Sequence, residues 1–173
     1  FYGFMEVFIP GLRDRVVDFA NARSGSRVLD VGTGTGKLAL AFAKRGYYVV
    51  GVDLSEDMLR VAKRNNRYKN ARFELADATK LPFDGSYFDV SCTSFVLHDM
   101  PPPIREKALK EMVRVTRPKG VMVIVDYALP RNQFLNQAVY HFTRFYESKY
   151  YPEFAKKSEL NSVLRKLGIK IKE

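Results

Sequence analysis

Residues Val28–Leu40 read VLDVGTGTGKLAL, and this stretch decides the fold of the 173-residue chain. RVLDVG (27–32) is β-branched and apolar around one acid, which predicts a buried strand. Three glycines follow at alternate positions, 32, 34 and 36. Lys37–Arg45 then has helical spacing, with Gly46 as its stop. The unit is strand, tight turn, helix. Two phosphate-binding readings of it fail. A G-x-x-x-x-G-K-[ST] loop using Gly36-Lys37 would need glycine at position 31, which is Val, and a hydroxyl where Leu38 stands. A G-x-G-x-x-G fingerprint finds Gly32 and Gly34 but meets Lys37 at its third glycine. Asp30, at the strand's end, repels a pyrophosphate and suits a cation.

Working outward, the same alternation continues. YVVGVD (48–53) predicts a second strand. Ser55 caps a helix with Glu56 and Asp57 in its first turn, ending near Asn65-Asn66. ARFELAD (71–77) and FDVSCTSF (88–95) predict strands three and four. Ile104, Ala108, Leu109, Met112 and Val113 have helical spacing. Pro118-Lys119-Gly120 is expected to stop that helix and turn the chain into VMVIVDY (121–127), strand five. Short connections between strands and helices imply an open, mostly parallel sheet with right-handed crossovers, which binds ligands beyond its strands' carboxyl ends. Leu160, Val163, Leu164 and Leu167 form a later helical stripe, capped by Ser158 and ended by Gly168. IKIKE (169–173) reads as a further strand.

Composition narrows the function classes. A single cysteine, Cys92, builds neither a disulfide framework nor a cysteine-based zinc site within one chain, so an intracellular, cytoplasmic location is expected. FYGFMEVFIP has neither the basic start nor the small-residue cleavage site of a signal peptide, and it begins with Phe rather than Met. The apolar runs are too short to span a bilayer. The net charge of +10 is lopsided: residues 1–100 carry 14 Lys/Arg against 12 Asp/Glu, and residues 101–173 carry 15 against 7. That excess suits either a solvated surface or a patch for nucleic acid or an anionic membrane. No basic run is long or interleaved with stacking aromatics, which favours the solvated surface.

The pattern that remains at the glycine loop is D-x-G-x-G-x-G, Asp30 to Gly36. It resembles motif I of the class I S-adenosylmethionine-dependent methyltransferases. Four later segments resemble that family in order: VVGVDLSEDML ending strand two, ELADATKLPF ending strand three, FDVSCTSFVLHDM, and LKEMVRVTRPKGVMVIVDY. The resemblance covers roughly residues 25 to 130. The wording is similar to that of small-molecule methyltransferases related to the ubiquinone/menaquinone C-methyltransferase group. Where that group carries a Gly-[Ile/Leu]-Arg-Asn-type segment, this chain reads Val96-Leu97-His98-Asp99.

The resemblance implies a Rossmann-like, doubly wound α/β/α fold of six to seven strands in a single domain. Residues 1–24 would form an N-terminal helix and lid, 25–130 the cofactor-binding core, and 131–173 substrate-side helices with the final strand. It implies S-adenosyl-L-methionine as cofactor, held by Asp30, Gly32, Thr33, Gly34, Gly36, Asp53, Leu54, Met58, Asp77, Ala78, Thr93 and Ser94. Asp53 would accept from the ribose hydroxyls and Asp77 from the adenine amine. No metal site is expected.

Methyl transfer from a sulfonium is an in-line displacement that depends chiefly on alignment. His98 is the candidate base where the acceptor must lose a proton, or else it only borders the site. The activated methyl donor favours the second role. Asp126 and Tyr127 end strand five and could face the acceptor. His141 suits a helix surface or core. Eight of the twenty-one residues from Phe134 to Phe154 are aromatic, and with Phe1, Tyr2, Phe4 and Phe8 they suit a lid over an apolar or aromatic acceptor. The expected partner is therefore a small-molecule methyl acceptor. An RNA or protein methyltransferase, or a cofactor-binding protein without catalysis, is the alternative.

Overall fold

A computed structural model describes residues 11–126 and 157–170. Its elements are α1 (Leu12–Ala20), β1 (Arg27–Val31), α2 (Lys37–Lys44), β2 (Tyr48–Asp53), α3 (Glu56–Asn65), β3 (Ala71–Leu75), β4 (Phe88–Ser94), a 3-10 turn (Leu97–Asp99), α4 (Pro102–Val115), β5 (Thr116–Val125) and α5 (Lys157–Lys166). The five strands form one sheet in the order β3-β2-β1-β4-β5, with every pair parallel. β1 is central, and the chain reverses its direction of winding between β1 and β4. A crevice therefore opens beyond the carboxyl ends of those two strands.

Alternation along the strands sends side chains to two separate cores. Val28, Val49, Val90 and Val123 pack beneath Val17 of α1, Phe42 of α2 and Leu59 of α3. Leu29, Val31, Val50 and Val52 pack on the other face against Leu109 and Met112 of α4 and Leu164 of α5. The stripe read at Leu160, Val163, Leu164 and Leu167 joins this second core. Burial of each such side chain stabilises by about 1.5–3 kcal/mol, so the three layers are held from both faces.

Several boundaries differ from the sequence reading. β3 stops at Leu75: Ala76 N–H makes the last bond to β2, donating to Asp53 O (3.1 Å), and the chain then turns on Asp77, whose carboxylate accepts Thr79 N–H (2.7 Å). β5 begins earlier than Val121. Thr116 already pairs with Phe88, and the next pair is Val90 with Val121, so the Pro118-Lys119-Gly120 turn is a bulge inside the strand. Arg117 pairs with Asp89 across it. β5 also ends at Val125, leaving Asp126 beyond the sheet. Five strands are present among the described residues, not six to seven. Ile169 and Lys170 are not in a strand, and 171–173 lie outside the described residues. So do the aromatic segment 134–154, residues 1–10, Tyr127 and His141, and the side chain of Ser158.

Candidate active site

The β1–α2 loop is tied down on both sides. Thr33 N–H continues the β1–β2 ladder by donating to Val52 O (2.9 Å), and Gly36 N–H donates to Thr33 O (2.9 Å). Asp53 joins this loop to the next one. Its Oδ2 accepts Gly34 N–H (2.8 Å) and its Oδ1 accepts Ser55 N–H (2.9 Å). Ser55 in turn caps α3, its Oγ accepting Met58 N–H (3.3 Å). Each Asp53 oxygen keeps a lone pair for a further donor. Gly36 is required for packing as well as for its left-handed φ of 79°. A Cβ there would lie 2.7 Å from Phe73 Cζ and 2.9 Å from Ala62 Cβ.

Asp30 lies under this loop. It is 1% exposed, and its carboxylate accepts Thr33 Oγ1–H at 2.7 Å and faces the Cys92 thiol at 3.5 Å. Burial pushes its pKa up to about 6, against the lowering effect of those bonds. Burial beside Asp30 also raises the Cys92 thiol, which is therefore inert.

The crevice holds a cavity of about 960 Å³. Gly32, Thr33, Gly34, Asp53, Leu54, Met58, Ala78 and Ser94 line it, as does His98. Four of the expected cofactor residues do not. Asp30 sits beneath the loop, Gly36 packs against Phe73 and Ala62, Asp77 is turned to Thr79 at the surface, and Thr93 is buried within β4 with its hydroxyl unpartnered among the described residues. Arg13 of α1 and Lys37 of α2 also line the cavity and add positive charge to it. Burial and Arg13 lower the pKa of Lys37.

His98 stands where β4 has left the sheet. Phe95 makes the exit in a left-handed conformation (φ 55°), its N–H donating to Val125 O (2.8 Å). The following turn carries His98, which is 3% exposed. Asp126, just beyond β5, contacts His98. Its Oδ1 lies 2.7 Å from His98 Nδ1, and its Oδ2 accepts His98 backbone N–H at 3.3 Å. Asp99 Oδ2 lies 3.5 Å from Nε2. Arg105 fixes the turn from α4, donating to Leu97 O and Met100 O, both at 3.0 Å. Sequence reasoning missed Arg105. Its signal is a basic residue inside the apolar face of α4, where it is 3% exposed. Among the described residues no three His, Cys, Asp or Glu side chains group as a metal site. No helix among them is long and apolar enough to cross a membrane.

A 3-2-1-4-5 parallel sheet, a glycine loop at the switch point and an acid ending β2 fit a Rossmann-like, doubly wound fold such as that of the methyltransferases. Comparison with known proteins places the chain among the latter. Residues 28–120 match the methyltransferase domain family, and the chain belongs to that family. It is 43% identical over 118 residues to a demethylmenaquinone methyltransferase of Renibacterium salmoninarum, covering 68% of this chain and 48% of that protein. It is 37% identical over 136 residues to the ubiquinone/menaquinone biosynthesis C-methyltransferase UbiE of Idiomarina loihiensis, covering 75% and 53%. The chain thus spans about half the length of these relatives. Among solved structures, an S-adenosylmethionine-dependent methyltransferase from Methanosarcina mazei superposes with a TM-score of 0.64 at 26% identity, covering 73% of this chain and 64% of that one.

Proposed function

We propose that this chain binds S-adenosylmethionine and transfers its methyl group to a small, apolar or aromatic acceptor. One observation carries the reading: the Asp53-clamped glycine loop and His98 open into the same cavity. The donor set fits the cofactor. Asp53, at the end of β2, has lone pairs for vicinal hydroxyls. Ala78, Leu54 and Met58 provide an apolar slot for a purine. The buried Asp30 favours positive charge above the loop, and Arg13 and Lys37 add cationic lining that favours a carboxylate. When bound, the cofactor supplies a methyl group already activated on a sulfonium. The chain's task is then to align the acceptor and exclude water.

The names of the two relatives point to a quinone-type acceptor, a small molecule, rather than RNA or protein. A cytoplasmic location agrees with the single, buried, unpaired cysteine. Calorimetry tests the reading. S-adenosylmethionine or its demethylated product is expected to bind with a dissociation constant on the order of micromolar, and NAD and ATP far more weakly. Tight NAD binding without S-adenosylmethionine binding would overturn it.

A further inference from the structure

We propose that His98 and Asp126 form a proton-accepting dyad, with Asp126 as the positioning residue and His98 Nε2 as the base. This rests on the methyltransferase reading above. The two side chains are 28 residues apart in sequence and 3% and 4% exposed in the fold. A carboxylate only accepts, so the 2.7 Å contact places the imidazole proton on Nδ1. The lone pair of that tautomer is on Nε2, which lies 3.5 Å from Asp99 Oδ2 on a ring that lines the cavity. Asp126 also accepts His98 backbone N–H, so it grips ring and main chain together. Arg105 of α4 holds the carbonyls on either side of His98. The ring is therefore fixed before any acceptor arrives.

The charged groups facing His98 among the described residues are Asp126 from the end of β5, Asp99 from its own turn and Arg105 from α4. The two carboxylates favour the imidazolium that proton transfer creates. Asp99 is 43% exposed and offers the proton a way to solvent. The step balances. One proton leaves the acceptor for Nε2. The electron pair left behind, directly or through a conjugated ring, forms the bond to the methyl carbon. The methyl–sulfur bond breaks with its pair on sulfur.

Asp126→Asn discriminates this from a structural contact. The amide oxygen is needed by His98 N–H, so the NH₂ faces Nδ1 and the ring proton moves to Nε2. In a His141→Gln background His98 is the only imidazole, and nitrogen-15 shifts report its tautomer. We expect Nδ1–H in the parent and Nε2–H in Asp126→Asn. With S-adenosylmethionine and short-tailed demethylmenaquinol, kcat should fall roughly 10²–10⁴-fold while cofactor affinity stays within about twofold. Asp126→Glu should recover part of the loss. Asp126→Asn added to His98→Ala should cost nothing further, because the carboxylate acts through the ring. An Nε2–H ring in the parent would overturn the dyad whatever the acceptor, and so would a tautomer switch that leaves kcat within about threefold. A parent that binds the cofactor but does not methylate demethylmenaquinol counts against the acceptor class instead, and the tautomer still decides whether Asp126 orients His98.

Discussion

Asp30→Asn should stabilise the protein at alkaline pH and weaken cofactor binding. The wild-type carboxyl is fully buried, and burial raises its pKa from the ordinary 3.8 to about 6. Each unit is worth about 1.4 kcal/mol, so keeping Asp30 ionised costs the fold about 3 kcal/mol at pH 8. The sign follows from proton counts. Between the two values the native state holds more protons than the unfolded chain, so stability falls as pH rises from about 4 to 6 and is level above that. At pH 4 the cost is only about 0.5 kcal/mol. Asparagine can still accept the Thr33 hydroxyl and carries no charge to desolvate. Allowing for the lost charge-assisted bond, a gain of about 1–3 kcal/mol is expected at pH 8, or roughly 3–10 °C in Tm, shrinking towards zero at pH 4. Urea and thermal unfolding at both pH values measure it. A variant destabilised equally at both would refute the argument, since the bonds of the carboxylate would then outweigh its burial. S-adenosylmethionine binding should move the other way, weakening in the variant at pH 8 and weakening in the wild type as pH falls below about 6. Calorimetry across pH 5–8 checks both.

Four further substitutions probe the loops and the helix that braces them. Asp53→Ala removes the acceptor of Gly34 N–H and Ser55 N–H as well as the proposed ribose contact, so cofactor affinity should fall by roughly 2–4 kcal/mol with a folded protein. Unchanged affinity by calorimetry would remove Asp53 from the site. Gly36→Ala should destabilise by about 2–4 kcal/mol in denaturant unfolding, because the left-handed φ and the clash with Phe73 and Ala62 act together. Gly34→Ala, at φ 54° with nothing within 4 Å of the new Cβ, should cost only the backbone part, about 1–2 kcal/mol. Arg105→Met leaves Leu97 O and Met100 O without their buried donor. It should cost about 1–3 kcal/mol of stability and broaden the His98 ring signals in the nitrogen-15 spectrum.

The sequence by itself determined the alternation of strands and helices, the glycine turn after β1 and the cap at Ser55. Each of these is a short-range property. Val28–Val31, Leu38–Phe42 and Glu56–Ala62 carry their periodicity and capping within a few residues, and a parallel sheet with its crevice follows from short crossovers. The composition of the crevice was legible too, since Gly32, Gly34, Asp53 and His98 all stand at carboxyl ends of strands or just after them. What each polar group there bonds to was decided only by the tertiary structure. Asp53 reaches back 19 residues to Gly34, Asp30 turns under the loop to Thr33 and Cys92, and Asp126 turns to His98. Thr93, near the end of β4, is buried by packing, and Asp77, in the turn after β3, is taken up by Thr79 at the surface. The five-residue step from Thr116 to Val121 against two on β4 likewise has no local signal beyond Pro-Lys-Gly. A buried carboxylate must find a donor, and which donor is near depends on strand order and register, which place residues distant in sequence side by side.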